Sequence, residues 1–170
     1  MHWMFMPLRR YAEFSGRSRR MEYWMYTLGV CIVWFVLVAV LFSMTGIMFL
    51  NAADPNAAGP AGLFSVLMGV GIFGIVCLVF WLALLIPSLA VTVRRLHDTN
   101  RSGWWVLAFY APFILQMILG RSSPSLGMIL GLIQLVLLVV LIVFMFLDGT
   151  RGPNRFGEDP KGATNAEVFG

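Results

Sequence analysis

Three short blocks hold nearly all the groups in this chain that could do chemistry. The first carries Arg17, Arg19 and Arg20 just before Glu22, Tyr23 and Trp24; the second runs Arg94, Arg95, His97, Asp98, Arg101, Trp104, Trp105. The third begins at Asp148 and mixes Arg151, Arg155, Asp159 and Lys161 with Gly149, Gly152 and Gly157. A guanidinium offers a planar, two-pronged set of donors that matches phosphate and carboxylate. Arg17, Arg19, Arg20, Arg94, Arg95 and Arg101, with His97 and Asp98, could therefore hold an anionic lipid headgroup or an acidic partner segment. Trp104 and Trp105 would set the depth at a membrane interface. The same charges could instead tie helix ends together, with Glu22, Asp98 and Asp148 each meeting an arginine from another block. Both readings stay open at this level. If the helix before the second block persists through Asp98, Arg94 and Asp98 share a face at i,i+4.

Catalysis finds less support. His97 and Asp98 are adjacent, so on a helix they point about 100° apart and cannot act as a base and its orienting partner. No nucleophile elbow, zinc-ligand spacing or phosphate-binding loop occurs. The segment after Asp148 lacks the alternating acids and closing glutamate of a calcium loop. Its glycines could form an anion-binding nest or an ordinary turn. Cys31 and Cys77 lie in apolar runs with no second sulfur nearby in sequence. The expectation is a protein that is not an enzyme, with no catalytic residue, metal or cofactor. The alternatives are a membrane enzyme acting on a lipid headgroup and a small transporter component. Transport is disfavoured because no Asp, Glu, Lys, Arg or His falls within any apolar span.

The elements that must position these blocks are apolar. Of the 170 residues 59% are apolar and only 12% charged, with a mean hydropathy of +0.84, which argues for a membrane protein. The sequence predicts an all-α membrane protein, a bundle of four transmembrane helices with short loops. An N-terminal interfacial segment and an irregular C-terminal tail complete it. Residues 1–24 are interfacial, with Trp3, Leu8, Tyr11 and Phe14 at helical spacing. Crossings follow at 25–50, 63–93, 104–119 and 126–147, with a cytoplasmic turn at 94–103 and a tail at 148–170, all in one membrane domain.

Ser18 is a candidate N-cap for the first crossing, and Gly16 lets the chain turn into it. Asn51–Gly62, rich in Gly and Pro, reads as an outside loop. Gly69, Gly71 and Gly74 would permit close helix approach, and Gly127 and Gly131 offer a second packing face. The span 104–119 is short and holds Pro112 and Gln116, so it could cross or re-enter.

Charge decides the threading. With four crossings, eleven of the twelve Arg and Lys residues share one side, and the other side holds only Arg121. The positive-inside rule then puts both termini in the cytoplasm. A net charge of +4, lying in short loops beside apolar helices, implies lipid and not nucleic acid. The partners expected are membrane lipid with anionic headgroups, and a protein partner or a second copy of the chain.

Three stretches together, Phe14–Trp24, Pro87–Trp105 and Gly149–Pro160, resemble the small bacterial inner-membrane proteins called domain of unknown function 805. The resemblance covers about Tyr11 to Pro160; Met1–Arg10 lies outside it, and Glu158 stands where a proline is expected. It implies membrane location and topology, and no catalytic residue can be carried over from it. The function expected is that of an integral inner-membrane protein of structural or regulatory role, contacting anionic lipid or a partner through its cytoplasmic rim.

Overall fold

Charge-free runs longer than a bilayer core leave the backbone one way to satisfy its own polar groups, and the chain takes it. The computed structural model describes residues 2–52, 60–120 and 123–162. Five helices follow in order: α1 (His2–Arg9), α2 (Arg20–Ala52), α3 (Pro60–Asp98), α4 (Trp104–Leu119) and α5 (Pro124–Phe146). No strand forms among the described residues. Three of the helices, α2, α3 and α5, are long and apolar enough to cross a membrane, whereas α4 is shorter. The loop at 53–59, Arg121 and the last eight residues lie outside the described residues.

The chain divides into two compact units. One comprises Thr27–Ile86, and the other comprises Met1–Tyr26 with Pro87–Gly170. In the first unit, α2 and α3 are apolar around their whole circumference, and Phe35, Phe42, Leu67 and Ile75 point outward. Such a surface suits lipid and not water. Hydroxyls in this environment bond back to their own helix, Ser43 to Ala39 O at 2.9 Å and Thr45 to Leu41 O at 2.8 Å. Trp34 and Phe80 meet edge to face at 6.3 Å. A Cβ placed on Gly71 or Gly74 would meet nothing within 4 Å, so the close approach expected there is not made.

The second unit holds the chemistry. Its apolar core is Leu96, Val106 and Met145, with Tyr23, Trp24, Leu89, Val93, Leu141 and Phe144 around them. Here α4 packs against α5 as a helical hairpin. Gly127 faces Gly120 and Gly131 faces Gln116, so the small-residue face lies between these helices, where Gln116 donates to Gly127 O at 3.3 Å. Pro124 opens α5 at a position where a missing amide hydrogen costs nothing.

Two expectations need correction. Residues 94–98 are not part of the turn: α3 runs through them to Asp98. Arg and Leu favour helix, and cations in the last turn are stabilised by the helix dipole, so charge alone does not end it. Asn100 ends it instead, with φ 57°. The Asn100 amide donates to His97 O at 3.0 Å and the Arg101 amide to Leu96 O at 2.9 Å, which together satisfy the last carbonyls. Ser18 is not the N-cap either. The Tyr23 amide donates to Arg19 O, α2 begins at Arg20, and the Ser18 amide donates to Arg94 O at 3.1 Å. Gly16 does turn the chain, at φ 81°.

Candidate functional site

Because the end of α3 carries the second block, Arg94, Arg95 and Asp98 lie on it within the unit that holds the other two blocks. Arg17, Glu22, Arg94, Arg95 and Asp98 are all buried. Arg17 and Arg95 share the Asp98 carboxylate, Arg17 through Oδ1 at 3.0 Å and Arg95 through Oδ2. Arg94 faces Glu22 at 3.4 Å across from α2. The i,i+4 pairing of Arg94 with Asp98 does not occur; Asp98 takes its partner at i−3.

Three buried guanidiniums against two buried carboxylates leave positive charge over, and backbone carbonyls absorb it. Arg17 donates to Thr150 O at 2.5 Å and Gly152 O at 2.6 Å. Arg95 donates to Met145 O at 3.4 Å and to Leu147 O. The last carbonyls of α5 form the negative end of its dipole, and arginines from other elements cap them. Trp24 adds a bond to Met145 O at 3.3 Å, and Arg20 one to Phe146 O at 3.2 Å.

The third block is an ordered irregular loop around this network. Asn154 Oδ1 accepts from the Phe156 amide at 2.9 Å, and its Nδ2 donates to His97 O at 3.0 Å. Asp159 accepts from the Gly152 amide at 2.9 Å and the Lys161 amide at 2.8 Å. These two backbone bonds, with Arg17 4.0 Å away, hold the Asp159 carboxyl below its ordinary range. Gly152 aims its carbonyl at a cation and its amide at the Asp159 carboxylate, so both groups are engaged within the fold. Gly149 is needed for space, since a Cβ there would lie 2.6 Å from Asp98 Cγ.

His97 donates through Nδ1 to Gly16 O at 3.2 Å, and its ring stacks flat on Phe156 at 3.9 Å. Arg101 lies over Phe144 at 3.9 Å and donates to Thr99 O. Trp105 meets Phe144 edge to face at 5.2 Å, whereas Trp104 points outward, 74% exposed. Arg19 donates to Pro160 O and sits 5.5 Å over Trp3, joining α1 to the loop. Arg20 pairs with the exposed Asp148 at 3.4 Å. Nearby, Arg10 grips Glu13 with two bonds of 2.7 Å, which lowers the Glu13 pKa and raises that of Arg10.

Of the residues singled out from sequence, Arg17, Arg94, Arg95 and Asp98 converge in the interior. Arg19, Arg20, Arg101, Trp104 and Trp105 reach the periphery. Sequence reasoning did not single out Thr150, Asn154 or Phe156, and it gave Asp159 and Lys161 no contact role. The Asn-x-x-Gly run at 154–157, which closes a tight turn with paired backbone bonds, was the available signal. No group of three or more metal-ligating side chains occurs among the described residues.

The family model for proteins of unknown function, DUF805, matches residues 11–158, a range that takes in all three blocks. The chain belongs to this family. Inner membrane protein YhaI of Escherichia coli K12 is 33% identical over 165 residues, covering 97% of this chain and all of the relative. Inner membrane protein YhaH of the same strain is 36% identical over 161 residues, covering 95% of this chain and 98% of the relative. The protein YiiR is 31% identical over 159 residues, 86% of this chain and 85% of its own length. No solved structure matches the chain. With three helices of spanning length and such relatives, it is an integral inner-membrane protein.

Proposed function

We propose that the chain is one membrane domain that crosses the inner membrane four times, through α2, α3, α4 and α5, with both termini in the cytoplasm. On this reading it is a structural or regulatory protein and not an enzyme, and its cytoplasmic rim meets anionic lipid or a protein partner. One observation carries the reading: Arg17 of the first block is bonded at once to Asp98 of the second and to Thr150 and Gly152 of the third. A guanidinium so engaged is a fastener. Buried charges paired across elements stabilise one arrangement of helix ends. His97, tied to Gly16 and covered by Phe156, has one ring nitrogen and one ring face already in use. The four-crossing reading is supported by the α4–α5 hairpin and by the arginine bias; at ~1.5 Å per residue α4 spans about 24 Å, short of the ~30 Å core.

Reporter fusions after residue 162 test the threading: a cytoplasmic signal is expected, and a periplasmic one overturns it. Exchanging charges tests the fastener. Glu22→Arg or Arg94→Glu alone should abolish accumulation of folded protein, and the two together should restore part of it. No recovery in the double variant would count against a purely structural pair.

A further inference from the structure

Outside the buried network, one surface feature combines positive charge with an apolar floor. A groove of about 590 Å³ is lined by Arg19, Arg20, Met21, Trp24, Phe146 and Lys161. Its floor is aromatic, with the Trp24 and Phe146 rings 4.4 Å apart, and Met21 and Phe146 are both more than half exposed. Its rim holds three cations from two distant parts of the chain, Arg19 and Arg20 at the start of α2 and Lys161 after the third block. Asp148 pairs with two of them, 3.4 Å from Arg20 and 3.5 Å from Lys161, and is itself 67% exposed. The groove thus brings three cations beside an exposed apolar floor.

We infer that this groove is a binding site for an anionic phospholipid, its phosphate on Arg20 and Lys161 and its first acyl carbons on Trp24 and Phe146. An apolar floor beside cations matches a molecule that is charged at one end and hydrocarbon at the other, which neither inorganic phosphate nor an acidic peptide is. Placement of Trp24 at the start of a membrane-length helix puts the floor at headgroup depth. The lipid-facing cations are thus Arg19, Arg20 and Lys161, while Arg17, Arg94 and Arg95 are spent in the interior. The inference rests on the proposal that this face meets the cytoplasmic leaflet.

The test uses the full chain, stripped of lipid in detergent and offered phosphatidylglycerol or phosphatidylethanolamine, with retained lipid counted by native mass spectrometry. Phosphatidylglycerol should be retained in preference, and Lys161→Gln and Arg20→Gln should each weaken that retention about fivefold. Retention of phosphatidylethanolamine should not change. Equal retention of the two lipids by the unaltered chain overturns the inference, as does undiminished phosphatidylglycerol retention in the double variant. Should Arg20→Gln lower the melting temperature, Lys161→Gln alone decides. In detergent both faces are open, so the lipid result stands apart from the threading. Labelling of Lys161→Cys in intact cells by a membrane-impermeant thiol reagent would overturn the leaflet assignment without touching lipid selectivity.

Discussion

At Asp98 one carboxylate serves two guanidiniums, and all three groups are excluded from solvent. Asp98→Asn keeps the shape and removes the charge, leaving Arg17 and Arg95 uncompensated; the expected loss is about 3–5 kcal/mol. Arg20→Gln, which breaks an exposed pair, should cost under about 1 kcal/mol. Denaturation of both variants in detergent checks the contrast, and equal losses would contradict the burial argument. Asp159 carries a pH dependence. Its folded pKa lies below the ordinary carboxylate value, so its contribution is complete above that value and fades as pH falls through the folded one. The loop should loosen below about pH 4. Hydrogen exchange at the Gly152 amide should rise there, and Asp159→Asn should exchange fast at every pH. Pairing of Glu22, Asp98 and Asp148 with arginines of other blocks could be read from composition and position. Which arginine takes which acid could not, because helix continuation past residue 93 rotates every later side chain.

The elements were legible where hydropathy alone governs them. Trp104–Leu119 agrees with the sequence reading residue for residue, and α2 and α5 differ from it by a few positions at their ends. The end of α3 was misplaced because a run of arginines looks like a loop in a hydropathy profile although its backbone preference is helical. Asn100 is the real stop, held at φ 57°. Asn100→Gly should therefore leave the melting temperature unchanged or raise it slightly, whereas Asn100→Val should cost about 1–2 kcal/mol. Similar losses for the two would mean that the Asn100 side chain, not its backbone angle, sets the stop. The loop at 149–162 was visible from sequence only as irregular. Carbonyl direction, which makes it a cradle for Arg17, depends on glycine dihedrals such as φ 74° at Gly152 and leaves no mark in composition.

For the molecule as a whole, the lopsided distribution of arginine gives the threading its test. Moving charge should move the chain: Ser123→Arg with Ser125→Arg would bring three arginines to the link between α4 and α5 and the first turn of α5, and a dual-reporter fusion after residue 162 should then show a mixed population. A tail that stays wholly cytoplasmic would mean that the network in the second unit, and not charge bias, fixes orientation. Membrane residence and the coming together of three blocks followed from sequence. The division between interior and peripheral cations did not, since arginine occurs in both and only the fold sorts them.

The bonds of Arg17 join parts of the chain more than a hundred residues apart, and this bears on how the protein is made. Residue 17 leaves the ribosome early, but Thr150 and Gly152 are added more than a hundred positions later. Until they are added, the Arg17 guanidinium lacks two of its carbonyl acceptors. A product cut short before residue 150 would lack both carbonyls and leave Arg17 with Asp98 as its acceptor.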